Sequence, residues 1–129
     1  MVLDASAALD YLVEEGPVGD WVREIVEREA EFAAPHLIDV EVASALRSLV
    51  VRREVSEGRA RDALTDFGEF ALVRHPLTEW LPRIWALRTS LSAYDAAYVV
   101  LSEALDSPLV TTDVRLARSH GHRAEIHAP

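Results

Sequence analysis

Residues 93–113 read AYDAAYVVLSEALDSPLVTTD and contain the clearest architectural signal in the chain. The first part, Ala93–Leu105, predicts a helix that is apolar nearly all round, and a helix of that kind is buried on every side. Pro108 separates this helix from Leu109–Thr111, which predicts a short strand ending near Asp113. Short strands separated by helices are typical of proteins in which helices cover both faces of a sheet.

The same alternation extends outward over the rest of the chain, judged by the periodicity of its apolar residues and the positions of Gly and Pro. The predicted strands are Val2–Asp4, Phe32–Ala34, Leu72–Arg74, Leu109–Thr111 and Glu125–His127. The predicted helices are Ala7–Val13, Val18–Glu31, Leu37–Arg53, Glu57–Phe70, one that begins at Thr78, Ala93–Leu105 and a short one after Asp113. This order predicts an α/β fold with a mostly parallel sheet.

Length and composition predict one globular domain that spans residues 1–129. Half of the residues are apolar, so the chain can bury a core. The absence of cysteine excludes a disulfide scaffold, thiolate zinc sites and cysteine nucleophiles. No apolar run approaches the ~18 residues that a membrane span requires, and we therefore expect a cytoplasmic protein with no membrane partner.

The chain is acidic: 13 basic and 22 acidic residues give a formal net charge of −9, and every basic residue is an arginine. Proteins that bind nucleic acid usually carry a basic surface, so this balance argues against such a partner as long as the carboxylates stay unneutralised. A cluster of acids that holds divalent cations reverses the local sign of the charge. The placement of the acidic residues therefore matters more than the net charge.

Two acidic residues fall at the ends of predicted strands. Asp4 ends the first strand and is followed by the small residues Ala5-Ser6-Ala7, which let a ligand approach the backbone closely. Asp113 follows the strand that begins at Leu109. Ligands of open parallel sheets bind outside the carboxyl ends of the strands. Each of these acids also fits the simpler role of a helix N-cap, and the sequence leaves both interpretations open.

Two further acidic residues lie on predicted helices, near faces that we expect to be buried. Glu41 borders the apolar stripe of the Leu37–Arg53 helix, where a boundary glutamate paired with an arginine is the alternative. Asp95 lies in the first turn of the buried helix, where Ser92-Ala93-Tyr94-Asp95 also fits a capping box. A capped carboxylate is held in a fixed place, so a capping role and a metal-binding role are compatible.

These four acids become informative as a set, because a parallel sheet brings all of them to one rim. Two like unit charges ~4 Å apart repel each other by about 4 kcal/mol at an effective dielectric constant of ~20. Such a cluster persists only if some of the acids are protonated or a cation is bound. Oxygen ligands favour hard cations, so we expect Mg²⁺ or Mn²⁺. A carboxylate-held metal beside a water is a site for phosphodiester hydrolysis.

Four segments together resemble the PIN-domain family, and specifically the VapC-type ribonuclease toxins of type II toxin–antitoxin systems. In the order and spacing of the family, they are Val2–Ala7, Pro35–Arg47, Leu91–Tyr98 and Pro108–Ala117. The resemblance runs from end to end of the chain and implies a three-layer α/β/α sandwich with its acids at one rim. It also implies Mg²⁺- or Mn²⁺-dependent cleavage of RNA, a homodimer, and inhibition by a cognate antitoxin whose tail enters the active-site groove.

The resemblance also implies roles for particular positions. The acidic residues of the family correspond to Asp4, Glu41, Asp95 and Asp113, and its small hydroxyl residues near the metal correspond to Ser6 and Thr112. We expect in-line hydrolysis by a metal-activated water, which Glu41 would orient or deprotonate, without a covalent nucleophile. The candidate RNA contacts around the rim are Arg47, Arg52, Arg115 and Arg118.

Two other classes of function stay open at this point. The first is a PIN-like protein-interaction module that has lost catalysis. The second is an aspartate-based phosphatase or phosphoacceptor domain, which is disfavoured because Ser6 stands where a second aspartate is needed and the chain contains no lysine. A related question concerns Trp80, Trp85 and Leu87, which form either a surface for self-association or part of the core.

Overall fold

A computed structural model describes all residues from 1 to 129. The strands are β1 (Val2–Leu3), β2 (Phe32–Pro35), β3 (Leu72–His75), β4 (Leu109–Val110) and β5 (Ile126–His127). The helices are α1 (Ala5–Val13), α2 (Pro17–Arg28), α3 (Ile38–Val51), α4 (Glu57–Glu69), α5 (Leu81–Ala86), α6 (Ala93–Leu105) and α7 (Val114–Ala117). A short 3₁₀ helix, Thr78–Trp80, precedes α5.

The five strands form one parallel sheet in the order β3-β2-β1-β4-β5. The chain runs from β1 through β2 to β3 on one side and then returns to β4 and β5 on the other. The crevice between β1 and β4 is therefore a topological switch point, the place where open parallel sheets bind ligands. Because Leu3 is in register with Val110, the residues that follow these two strands emerge side by side.

Helices cover both faces of the sheet and complete the predicted three-layer α/β/α sandwich. Helix α1 packs against α2, α3 and α4, whereas α6 packs on β1, β2 and β4 and contacts α5. All residues of α6 from Ala96 to Ser102 are buried, as the apolar character of this helix predicted. None of the helices combines the length and the apolar character needed to cross a lipid bilayer.

Several element boundaries differ from the sequence prediction. Strand β1 ends at Leu3, because Asp4 already occupies the position that precedes α1. Helix α1 begins at Ala5 rather than Ala7, since small residues form its first turn. The helix expected from Thr78 is divided into a 3₁₀ turn and α5. Pro82 has no N–H group and fits only the first turn of a new helix.

The bulky residues of the segment from Trp80 to Leu87 divide between core and surface. Leu87 is buried and Trp80 packs against the core, so these two side chains stabilise the fold. Trp85 is 68% exposed, and the Arg88 guanidinium lies 4.8 Å from the centre of its ring. Of the three residues considered for self-association, Trp85 is the one that the fold leaves at the surface.

Candidate active site

Asp4 lies between β1 and α1 and is only 6% exposed. It stands at the N-cap position of α1 but makes no side-chain capping hydrogen bond, so the capping interpretation is wrong for this residue. Its Oδ2 instead accepts hydrogen bonds from Ser6 Oγ and, at 2.7 Å, from Thr111 Oγ1. Its Oδ1 receives no side-chain hydrogen bond and is left for a ligand.

Thr111, rather than Thr112, is the threonine beside Asp4. The Thr111 hydroxyl donates to Asp4 and accepts a hydrogen bond from the N–H of Asp113 at 3.0 Å. The Thr112 hydroxyl donates to Asp10 Oδ2 at 2.6 Å. The structure thus places the Thr111 hydroxyl against Asp4 and the Thr112 hydroxyl against Asp10, and the expected position of Thr112 near a metal stays a prediction. Successive side chains of extended backbone point in opposite directions, so only one of the two can face Asp4.

Glu41 lies half-buried in the first turn of α3, and its Oε2 accepts a hydrogen bond from the Tyr98 hydroxyl of α6. Glu41 thus contacts a tyrosine where the alternative interpretation proposed an arginine. Tyr98 is fully enclosed by the core. Burial, together with the hydrogen bond to Glu41, raises the pKa of Tyr98 far above its usual range. The Tyr98 hydroxyl therefore stays protonated and acts as a fixed donor to Glu41.

Asp95 lies in the first turn of α6, where its N–H donates to Ser92 Oγ at 3.1 Å. Ser92 thus forms its half of the predicted capping box. The Asp95 carboxylate does not return the hydrogen bond and has no side-chain partner. The cap fixes the backbone of Asp95, whereas its carboxylate stays available to a ligand.

Asp113 is the N-cap of α7, as the simpler interpretation predicted. Its Oδ1 accepts a hydrogen bond from the N–H of Arg115 at 2.7 Å, and the Arg115 guanidinium lies 3.4 Å from Oδ2. Burial raises the pKa of Asp113, but the hydrogen bonds from Arg115 outweigh burial and hold this pKa below its ordinary value. Asp113 therefore stays charged at neutral pH while it caps the helix.

The four predicted acids, Asp4, Glu41, Asp95 and Asp113, line one open cleft of ≈ 420 Å³ beside the carboxyl ends of β1 and β4. We call them the acidic quartet. The remaining lining residues are small or uncharged: Ala5, Ser6, Leu9, Ser44, Ala45 and Ser48. The fold thus gathers carboxylates from the β1–α1 connection, α3, α6 and the β4–α7 connection, which are far apart along the chain.

Within the cleft, burial and neighbouring carboxylates raise the pKa values of Asp4 and Glu41. Burial raises the pKa of Asp4, and the negative charge of Asp95 adds to this rise against the two hydroxyl hydrogen bonds. Burial also raises the pKa of Glu41, and the charges of Asp4 and Asp95 add to it against the hydrogen bond from Tyr98. It is unfavourable to keep these buried, neighbouring carboxylates charged, and a bound cation would offset that free-energy cost.

None of the arginines predicted at the rim lines the cleft; they are Arg47, Arg52, Arg115 and Arg118. Arg52 follows the end of α3 and pairs with Glu54 at 3.3 Å. Arg115 is 90% exposed and pairs with Asp113. Arg47 and Arg118 are exposed. The cleft itself therefore offers no positive charge to a phosphate group.

The donor set fits a hard divalent cation that keeps part of its water. Carboxylates, without thiolate or imidazole, are the ligands that Mg²⁺ and Mn²⁺ prefer. No group of three or more acidic or histidine side chains stands in a geometry that would hold an ion directly. Mg²⁺ commonly binds through one or two carboxylates and retains several waters, so this spacing is compatible with it.

The fold and the acidic cleft together define a class of protein, and comparison with known proteins identifies that class. The PIN domain family matches residues 1–120. The chain therefore belongs to the PIN-domain family, which confirms the resemblance predicted from its four segments.

Curated relatives are similar over almost the whole chain. VapC ribonuclease Mb0985 of Mycobacterium bovis is 43% identical over 117 residues, which cover 91% of this chain and 88% of that protein. Ribonuclease VapC12 of Mycobacterium tuberculosis is 40% identical over 126 residues, which cover 98% of this chain and 96% of that protein. The crystal structure of PAE2754 from Pyrobaculum aerophilum matches with a TM-score of 0.71 and 23% identity. It covers 97% of this chain and 81% of that one, and shows the fold alone.

Two residues of the site, Tyr98 and Thr111, were not singled out by the sequence pattern. Tyr98 follows Asp95 by three residues, so both lie on one face of α6. A hydroxyl on that face of an otherwise apolar helix is a signal that sequence reasoning can use. For Thr111 no such signal exists, because the choice between two adjacent threonines depends on how the chain leaves β4.

Proposed function

We propose that this chain is a metal-dependent endoribonuclease and the toxin of a type II toxin–antitoxin pair. The observation that carries the proposal is the convergence of the acidic quartet in one cleft at the switch point of the sheet. Four mutually repelling carboxylates are costly to hold together. They are also what phosphodiester hydrolysis with a bound divalent cation requires. The relatedness to VapC ribonucleases supports RNA as the substrate.

The metal is part of the proposal. Mg²⁺ or Mn²⁺ would be held by Asp4, Asp95 and Asp113, directly or through water, and Glu41 would complete the cluster. When bound, such a cation supplies Lewis acidity toward the phosphodiester and lowers the pKa of the attacking water. Asp4 suits this role, since the Ser6 and Thr111 hydroxyls both bond to one carboxylate oxygen and no side chain bonds to the other.

Glu41 is the residue best placed to take a proton. Tyr98 holds its Oε2 and leaves Oε1 free to accept a hydrogen bond from water. Burial raises the pKa of Glu41 above its ordinary value, the direction that suits a general base. No histidine lines the cleft to activate a serine, and the Ser6 hydroxyl is committed to Asp4. Water is therefore the nucleophile that this arrangement favours.

The charge of the cleft bears on how an RNA phosphate would enter it. Because no arginine lines it, entry of a phosphate depends on the cation, and contacts with Arg47, Arg52, Arg115 or Arg118 would lie beyond the rim. We include in the proposal a cognate antitoxin, a homodimer and a cytoplasmic location.

The phosphoenzyme alternative fits the structure less well. Such a domain would need a second aspartate where Ser6 stands and a lysine near the phosphate, and the Ser6 hydroxyl is hydrogen-bonded to Asp4. The inactive-module alternative gives no reason for four acids to share a cleft. The inactive-module alternative is an outcome of the experiment that follows.

Cleavage of a labelled single-stranded RNA by the purified protein, with and without Mn²⁺, tests the proposed function. We expect Mn²⁺-dependent cleavage that is lost on chelation with EDTA and falls more than ~100-fold in Asp95→Asn. Asp95 is the best position to change, because its carboxylate makes no hydrogen bond within the fold.

Asp62→Asn on the exposed face of α4 is the matched control and should cleave as the wild type does. Cleavage by Asp95→Asn at the wild-type rate would refute the assignment of the site. No cleavage by the wild type, combined with undiminished folding, would favour the inactive interaction module.

A further inference from the structure

Thr112 is tied to helix α1 at two points. Its Oγ1 donates to Asp10 Oδ2 at 2.6 Å, and its backbone N–H donates to Ser6 Oγ at 3.1 Å. Both acceptors belong to α1, six and two residues after Asp4 in the chain. Neither Asp10 nor Thr112 lines the acidic cleft.

These two hydrogen bonds are important because Thr112 lies in the connection between β4 and α7. Strand β4 ends at Val110 and α7 begins at Val114, so the three residues between them lie outside regular secondary structure. Their N–H groups donate in turn to His127 O, Ser6 Oγ and Thr111 Oγ1. The last of these three residues is Asp113, a member of the acidic quartet. The position of Asp113 therefore depends on the hydrogen bonds that hold the β4–α7 connection in place.

We propose that Asp10 and Thr112 form a positioning pair that holds Asp113 at the cleft. The pair fastens the β4–α7 connection to α1, the same helix whose first turn carries Ser6 beside Asp4. Because the Thr112 hydroxyl donates its proton to Asp10, it is not available as a hydrogen-bond donor to substrate. The inference rests on the cation site of the proposed function, whereas its effect on Mn²⁺ binding does not depend on RNA being the substrate.

A double-mutant cycle tests the pair. Thr112→Val removes the hydroxyl and keeps the branched shape, Asp10→Ala removes the acceptor, and the double variant removes both. We expect each single variant to weaken Mn²⁺ binding about tenfold, the usual effect of losing a partner that orients a metal ligand. The double variant should bind no more weakly than either single one, because the two residues act as one unit.

Conservative variants separate positioning from general loss of structure. Thr112→Ser keeps the hydroxyl and Asp10→Asn keeps an acceptor oxygen, so both should restore Mn²⁺ affinity to within about threefold of the wild type. Thr65→Val is the control, since the Thr65 hydroxyl bonds only to Arg61 O on α4. At saturating Mn²⁺, kcat for RNA should fall in Thr112→Val while KM stays near its wild-type value.

The outcomes are distinct. Additive effects in the cycle, or equal losses in Thr112→Ser and Thr112→Val, would overturn the pair. A wild type that binds Mn²⁺ but cleaves no RNA would overturn the proposed function alone, and the cycle in Mn²⁺ affinity would still decide the pair. A wild type without Mn²⁺ affinity would overturn both.

Discussion

Asp4 illustrates at the scale of a single residue how a fold keeps a buried carboxylate ready for use. Burial of a charged group is unfavourable unless hydrogen bonds or a counter-charge compensate it. Hydrogen bonds from Ser6, Thr111 and the backbone of Ala5 compensate the burial of Asp4 in part, and the charge of Asp95 opposes that of Asp4 instead of balancing it. Buried carboxyls with a raised pKa in a cleft are concentrated at functional sites, so Asp4 is better explained by a ligand than by the fold.

Tyr98→Phe isolates the donor that holds Glu41. The variant keeps the ring in the core and loses only the hydroxyl that bonds to Glu41. We expect the free energy of unfolding to fall by about 1 kcal/mol and RNA cleavage to fall about tenfold, because Glu41 is no longer oriented. Urea unfolding and the RNA assay measure the two effects. Tyr94→Phe, at a tyrosine 65% exposed on the same helix, is the control. Equal activity of the two variants would contradict the role of Tyr98.

Sequence reasoning at this scale identifies acids more easily than their partners. The members of the acidic quartet stand out because carboxylates at strand ends and in an apolar helix are conspicuous. Thr111 and Thr112 have the same chemistry, and only the direction in which the backbone leaves β4 separates them. Arg52 was expected at the rim within the Leu37–Arg53 helix, but α3 ends at Val51 and Arg52 pairs with Glu54.

Helix α6 is the element that the sequence predicts best and the site depends on most. Its observed bounds, Ala93–Leu105, equal the predicted ones, because a capping serine precedes a long run of apolar residues. The first turn of α1 is less predictable, since Ser6 has a weak helix preference and a helix of nine residues is marginal until it packs against the rest of the fold.

Two helix caps with the same geometry allow a matched comparison. Ser92 accepts from the N–H of Asp95 and Ser56 accepts from the N–H of Arg59, both at 3.1 Å. Ser92→Ala and Ser56→Ala should each lower the free energy of unfolding by about 1 kcal/mol. Only Ser92→Ala should also slow RNA cleavage, because its cap fixes the backbone of Asp95. Thermal unfolding and the RNA assay are the measurements, and equal activity of the two variants would contradict the link between cap and site.

For the whole molecule, strand order is the decisive property that the sequence left undetermined. The pattern predicts five short strands and their parallel direction, but strands of two to four residues do not specify their neighbours. Placing β1 beside β4 brings Asp4 and Asp113 to the same crevice. Because α6 covers the sheet beside these strands, Asp95 and Tyr98 also lie at this crevice. The site is thus a product of topology, which brings together residues that are far apart along the chain.

Glu103 joins three parts of the molecule away from the cleft. It accepts two hydrogen bonds from the Arg83 guanidinium of α5, at 2.9 and 2.8 Å, and one at 2.8 Å from the N–H of Arg123 before β5. The hydrogen bonds from Arg83 lower the pKa of Glu103 to about 2 from an ordinary 4.5, against the opposing effect of burial. The folded state therefore binds the Glu103 proton less tightly than the unfolded state does.

Glu103→Gln should make this contribution visible as a function of pH. The stabilisation is fully present above the ordinary pKa and is lost as the pH falls toward about 2. At pH 7 we expect the free energy of unfolding to fall by about 1–2 kcal/mol, a modest value because Arg83 is 39% exposed. Near pH 2 the wild type and the variant should converge. Urea unfolding across this range measures the difference, with the surface variant Glu54→Gln as control. A difference that is the same at every pH would contradict the assignment.

Calorimetric titration of Mn²⁺ into the metal-free protein examines whether the acidic quartet works as a cation site. The wild type should bind Mn²⁺, and Asp95→Asn, whose fold loses no hydrogen bond, should bind at least about tenfold more weakly. Binding that is absent from the wild type, or unchanged in Asp95→Asn, would show that the four carboxylates do not act together on a metal.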